Sequence, residues 1–310
     1  MHAVLWVLAG LAACAGCLWL AYLLAGREKR HLTTAVRTHL GGTYVTLPHG
    51  VTHYELAGPE SGRLVLLIHG LTIPLWTWDP QMDALHSAGL RTLRYDMYGR
   101  GYSDRPRVRY DRALFVRQIA DLLDTLAVRS PVDIVGTSLG AGIGVTFAAQ
   151  NPHRVRRVVW LSPLVNVSTA QVRLFRLPLL GELLMRFAGM PFYTRRAIHF
   201  YRSHPQRERY VARYLEQISY KGFEYCGLSE ARADIAGDYR DAYRAFGATG
   251  KASMLIYGAD DHEFSPESVT EARQLLVNCE SHTIPGVGHG VELQLHPEVT
   301  RRLVAFLTRP

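Results

Sequence analysis

The segment Val132-Asp-Ile-Val-Gly-Thr-Ser-Leu-Gly140, running straight into Ala141-Gly-Ile-Gly144, leaves this chain few folds to choose from. A short apolar run of strand length meets a serine between two glycines, and a helix of small residues follows without a linker. Glycines permit the sharp strand-to-helix turn that lifts a serine hydroxyl above a sheet edge, while the helix N-terminus supplies free amides and a dipole that favours negative charge. A strand feeding a helix in this way is half of a βαβ unit, so the expectation is a parallel sheet with Ser138 as candidate nucleophile.

Other runs extend that sheet. Leu64-Val-Leu-Leu-Ile68 is continuously apolar and bounded by Gly62 and Gly70, as suits a strand buried on both faces. Similar runs stand at Arg91–Tyr95, Val158–Leu161, Met254–Tyr257 and His282–Ile284, with helical periodicity at Ala113–Leu126 and Val299–Leu307. Upstream, Thr43–Leu47 and Val51–Leu56 alternate apolar and polar residues around Pro48-His-Gly50, the pattern of a β-hairpin. The alternation breaks between about Leu164 and Gly247, where Arg, Tyr, Phe and Leu dominate and only helices are expected; this segment reads as an inserted cap.

The remaining chemistry lies at strand ends. Ile68-His-Gly-Leu71 ends an early strand, so the amides of Leu71 and Leu139 can point into one crevice as an oxyanion hole, whatever their side chains. His69 is expected to shape that loop and not to transfer protons. Met254-Leu-Ile-Tyr-Gly-Ala-Asp-Asp-His262 ends a strand with two carboxylates, Asp260 and Asp261, and Ile284-Pro-Gly-Val-Gly-His-Gly290 sets His289 on a glycine-rich loop. Separate strand ends on one edge of a sheet can converge: His289 as base, one aspartate to orient it.

From Ala3 to Gly26 there is no charged residue, and a helix of that length reaches about 36 Å, enough to span a hydrocarbon core. A cleaved leader is the rival reading, since Leu11-Ala-Ala-Cys14 has a lipoprotein-like box. No Lys or Arg precedes it, however, and the apolar run continues to Leu24. Arg27, Lys29 and Arg30 follow the span, which places the catalytic part on the cytoplasmic side by the positive-inside tendency. The net charge of +8 is spread over scattered arginines without a basic block interleaved with aromatics, so no nucleic-acid partner is expected. Four cysteines offer neither metal-ligand spacing nor a forced Cys226–Cys279 disulfide.

Together these elements resemble the α/β-hydrolase family, in particular its cap-bearing serine hydrolase branch of esterases, lipases, C–C bond hydrolases and cofactor-free haloperoxidases. Asp96-Met-Tyr-Gly-Arg-Gly-Tyr-Ser103 matches the family's Asp-x-x-Gly-x-Gly-x-Ser loop, in which Asp96 is structural, and Gly258-x-x-Asp261 matches its acid motif and selects Asp261 over Asp260. The resemblance, which covers most of residues 43–309, implies an α/β fold with a mostly parallel, doubly wound sheet; with the apolar segment read above, the chain divides into an anchor at 1–26, a core at 27–163 and 248–310, and a helical cap at 164–247. The resemblance also implies a triad of Ser138, Asp261 and His289 that needs no metal or organic cofactor. With the anchor, the chain is similar to membrane-bound monoacylglycerol lipases, so the expected partners are a lipid or small ester substrate and a membrane held through residues 3–26. A tethered small-ester or C–C bond hydrolase is the alternative, and a non-catalytic ligand-binding scaffold the more distant one.

Overall fold

The structure is a computed structural model that describes residues 2–167, 170–264, 266–294 and 297–310. Its centre is an eight-stranded sheet: β1 (Thr43–Leu47), β2 (Gly50–Ala57), β3 (Arg63–Ile68), β4 (Leu90–Tyr95), β5 (Val132–Thr137), β6 (Val155–Leu161), β7 (Ser253–Gly258) and β8 (Cys279–Ile284). The spatial order is β1-β2-β4-β3-β5-β6-β7-β8; β2 pairs antiparallel with both β1 and β4, and every other pairing is parallel.

The continuous apolar runs are explained by which side each residue serves. Leu66 and Ile68 of β3, Ile134 of β5, Trp160 of β6 and Leu255 of β7 enter the core on one face. Their neighbours Val65, Leu67, Val135, Val159, Leu161, Met254 and Ile256 enter a second core on the other. A strand covered on both sides has no polar face to display, so alternation vanishes from its sequence. Helices α4 (Arg112–Thr125), α5 (Leu139–Gln150), α10 (Arg240–Gly247) and α11 (Pro266–Leu275) supply the first core, and α3 (Met82–Ser87) and α12 (Pro297–Leu307) the second.

Two strands run longer than their apolar runs suggest. β6 begins at Val155 because Arg156 pairs with Asp133, while Arg157 donates to the Phe306 carbonyl at 2.6 Å. Satisfied charges thus sit where an apolar residue would otherwise mark the strand. β8 begins at Cys279; it is an edge strand, only partly buried before Ile284, and carries the polar residues an edge tolerates. Cys226 and Cys279 are separate free thiols, the first buried.

Between β6 and β7 lie α6 (Leu180–Leu184), which continues through a wide turn into α7 (Met190–Phe200), then α8 (Arg207–Gln217), α9 (Phe223–Arg232) and α10. Met185, Met190, Tyr193, Ala197, Tyr214 and Phe223 of this insertion form a third core with Ile73, Leu75, Trp76 and Leu293, which belong to loops beyond the C-terminal strand ends. The insertion therefore roofs the edge where parallel sheets place ligand crevices. Its last helix, α10, packs instead beside α5 against the sheet.

At the N-terminus, α1 (His2–Ala25) is one apolar helix with no buried residue, long enough to cross a membrane. A short helix, α2 (Thr34–Leu40), is capped by Thr33, whose hydroxyl accepts from the Val36 amide.

Candidate active site

Ser138 stands between β5 and α5 at φ +53°, ψ −118°, a conformation that costs a non-glycine residue about 1–3 kcal/mol and persists only where the surroundings enforce it. Here the flanking glycines do so. A Cβ on Gly140 would lie 2.3 Å from the Ile68 carbonyl oxygen, and one on Gly136 would lie 2.6 Å from the Gly140 carbonyl oxygen. The turn can close only because both positions lack side chains. The Ser138 amide donates to the Leu161 carbonyl at 3.0 Å, fastening the bend to β6.

His289 arrives on the loop after β8 and Asp261 on the loop after β7. The Ser138 Oγ–H faces His289 Nε2 at 3.0 Å, and His289 Nδ1–H faces Asp261 Oδ2 at 2.9 Å. The other carboxylate oxygen, Asp261 Oδ1, accepts from the amides of Glu263 at 2.9 Å and Phe264 at 3.2 Å. Burial alone would raise the Asp261 pKa, but the bond and charge of His289, followed by those two amides, outweigh it and hold the carboxyl below its usual range. Asp260 is exposed, and its amide donates to the Val287 carbonyl. The structure thus brings Ser138, His289 and Asp261 into one line and leaves Asp260 outside it.

Leu139 is the first residue of α5, and Leu71 follows Gly70, whose Cα packs against Ser138: a Cβ there would meet Ser138 Cβ at 3.4 Å. Neither amide donates to another described residue. The direction of the Leu71 amide is set from behind. Buried His69 uses Nδ1–H to donate to the Gly70 carbonyl at 2.6 Å, and its Nε2 accepts from the Met97 amide at 2.9 Å. That carbonyl and the Leu71 N–H share a planar trans peptide and point oppositely, so holding one aims the other. Arg100 secures the next peptide, donating to the Leu71 carbonyl at 2.7 Å while paired with buried Glu230. Asp96, fully buried, accepts from the Leu75 and Tyr102 amides and contacts His53 Nδ1 at 2.7 Å, a loop-building role.

His69 yields a stability prediction. Burial holds its pKa down at about 4, against an ordinary 6.5. Below pH 6.5 the unfolded chain takes up a proton that the folded chain refuses, so stability is full above pH 6.5 and is lost as pH falls toward 4, by about 3 kcal/mol in all. His69→Gln should melt lower than the parent at pH 7.5 yet lose less between pH 6.5 and 4 in thermal unfolding. An unchanged pH dependence would show that the ring already titrates normally in the folded protein.

Several residues at the site carry no sequence signal. Glu292 is buried beneath the histidine loop and accepts from the hydroxyls of Thr77 and Thr137, both at 3.0 Å, while Gln81 donates to its main-chain oxygen at 2.7 Å. Burial, the largest influence, pushes its pKa up. Phe264 meets the His289 ring edge-on, with centroids 4.7 Å apart. From the insertion, Arg196 Nε donates to Thr72 Oγ1 at 2.9 Å and the guanidinium pairs with Glu263, which itself lies 3.4 Å from His289 Nε2.

Above the triad is a narrow cleft with a free volume of about 20 Å³, walled by Leu71, Ile73, Phe200 and Leu293 with Arg196 at one side. A hydroxyl, an imidazole with a fixed tautomer, a carboxylate and two unengaged amides are the parts needed to attack a carbonyl and hold the resulting oxyanion.

Residues 63–293 match the alpha/beta hydrolase fold family, and the chain belongs to it. It is similar to the 2-(acetamidomethylene)succinate hydrolase of Mesorhizobium japonicum, with 27% identity over 79% of this chain and 87% of the relative. A second relative, the 2-hydroxy-6-oxo-2,4-heptadienoate hydrolase of Pseudomonas putida, is 26% identical over 80% of this chain and 90% of its own. Among solved structures, the enol-lactonase from Burkholderia xenovorans LB400 superposes with a TM-score of 0.72 at 23% identity, covering 86% of this chain and all of the other.

Proposed function

We propose that the protein is a membrane-anchored serine hydrolase that cleaves carboxylic monoesters, monoacylglycerols or similar lipids among them, through an acyl-enzyme on Ser138. The observation that carries the reading is the line from Ser138 Oγ to His289 at 3.0 Å and from His289 to Asp261 at 2.9 Å. In this mechanism Oγ attacks the ester carbonyl as its proton passes to His289 Nε2, and the Leu71 and Leu139 amides hold the oxyanion. His289 then returns the proton to the departing alkoxide. Water, deprotonated by the same ring, cleaves the acyl-enzyme, and Asp261 steadies the imidazolium in both halves.

The lipid preference rests on α1 as an uncleaved span, with the catalytic part on the cytoplasmic side beside Arg27, Lys29 and Arg30, and on the apolar walls of the cleft. With a free volume of about 20 Å³ the cleft is far narrower than the roughly 300–1,000 Å³ of ligand sites, so an acyl chain is admitted only as the side chains of the insertion part, and a bulky triacylglycerol is disfavoured. A C–C bond or acidic-substrate hydrolase is the second reading, favoured by Arg196 at the cleft wall and by the two relatives named above.

The experiment is kcat/KM across p-nitrophenyl esters from C2 to C16, with monoacylglycerol and 2-hydroxy-6-oxo-2,4-heptadienoate alongside. Each methylene enclosed adds about 0.8 kcal/mol, so four should raise specificity by about two orders of magnitude before the profile levels. A decline from C2 upward, with turnover of the acidic dienoate, would transfer the assignment to the second reading.

A further inference from the structure

The chain that leaves α1 does not hang free. Arg186, in the turn between α6 and α7, donates to the Tyr22 carbonyl in the last turns of α1 at 2.7 Å, and its guanidinium lies 3.7 Å from the centre of the Tyr22 ring. The same side chain is paired with Glu224 of α9 at 2.6 Å. Three residues beyond α1, the Glu28 carboxylate accepts from the amides of Gly222 and Glu224 and so caps the N-terminus of α9. Lys29 and Arg30 then bond along Ser219–Lys221 as a parallel bridge, and Arg30 pairs with Glu216 of α8 at 3.0 Å. Held at Tyr22, Glu28 and Arg30, the insertion has a fixed attitude to the end of α1.

Beside this clamp the insertion exposes large apolar side chains. Leu174, Leu177, Leu180 and Phe187 are exposed, and Leu179 is 80% exposed. Leu179 also sits at φ +63°, a left-handed conformation that leucine rarely adopts, so the backbone is bent to hold an apolar side chain outward. Five large apolar side chains exposed within Leu174–Phe187 mark a contact. The turn Met185–Gly189, which carries both Arg186 and the exposed Phe187, contacts α1, so the ridge ends beside the end of that helix. There the Trp19 and Tyr22 rings stack at 5.8 Å, the amphipathic pair that favours a membrane interface. From this end α7 carries Phe192, Arg196 and Phe200 at four-residue spacing, the last two lining the cleft, with the guanidinium 6.0 Å and 4.8 Å from the two ring centres.

We infer that residues 26–30 are a strut that presses the ridge Leu174, Leu177, Leu179, Leu180 and Phe187 into the lipid surface beside α1, so that an amphiphilic substrate enters the cleft along α7 from the bilayer. The inference rests on α1 being a retained span, and it adds a second membrane contact and a route. Interfacial burial of such a ridge scales with its apolar area.

The test uses the full chain in phosphatidylcholine–phosphatidylglycerol vesicles, in a Cys14→Ser, Cys17→Ser, Cys279→Ser background, with intact mass confirming that residues 2–25 remain. An environment-sensitive NBD label at Leu179→Cys, and separately at Phe187→Cys, should be quenched about fivefold more by nitroxide lipids than the same label at Val277→Cys, an exposed site in the loop before β8. Leu177→Ser/Leu179→Ser/Phe187→Ser should lower kcat/KM for a bilayer-dissolved monoester about tenfold and leave a water-soluble short ester unchanged. Labels at 179 and 187 as wet as that at 277, with residues 2–25 present, overturn the ridge contact while leaving the hydrolase reading intact. Shielded labels in a protein without esterase activity support the contact and reject the hydrolase reading. Loss of residues 2–25 overturns the contact together with the anchor.

Discussion

Ser138→Ala should fold with the parent's melting temperature, lose ester hydrolysis by about 10⁴-fold or more, and no longer be labelled by fluorophosphonates. The hydroxyl is the one atom whose removal ends covalent chemistry while changing little else, because Ser138 Oγ bonds only the His289 ring among the described residues. Alanine also tolerates the bend poorly at φ +53°, as serine does, so the strain is common to both proteins and drops out of the comparison. Turnover that survives, or a fluorophosphonate adduct found on another residue by mass spectrometry, would remove Ser138 from the mechanism.

Asp261→Asn should lower kcat by about 10⁴-fold with little change in KM, because an amide facing His289 Nδ1 favours the tautomer that cannot accept the serine proton. Asp260→Asn should stay within about threefold of the parent, since that side chain is exposed and outside the bonded line. Measuring the two variants side by side separates neighbours that differ by one position in sequence and entirely in contact. Equal losses would mean that the loop's fold, and not the carboxylate at 261, is what the reaction needs.

The elements that were legible in the sequence are those whose pattern has a single physical cause. β3 and β7 announce themselves because burial on both faces forces continuous apolar residues, and the turn at Ser138 does so because Gly136 and Gly140 admit nothing larger. The loops carrying Asp261 and His289 could be placed because each ends a readable strand. Glu292, Glu263 and Arg196 could not, since a buried acid held by Thr77 and Thr137 looks on paper like any surface acid. Arg196 comes from an insertion whose helices pack on tyrosines and methionines with no spacing tied to the sheet. The docking of Glu28 and Arg30 on the insertion was equally unreadable, because it joins residues nearly two hundred positions apart.

The buried carboxyl of Glu292 bears on how such an enzyme can be controlled. Through Thr137 it joins the histidine loop to the residue just before the nucleophile, and through Thr77 and Gln81 it joins that loop to the segment after β3. The three chemical parts are thus bolted into a single unit beneath the roof, assembled before any substrate arrives. Control of such a unit acts on admission and not on assembly. A compact fluorophosphonate should react at one rate with or without a lipid surface, while the turnover of long esters rises and falls with what the membrane delivers.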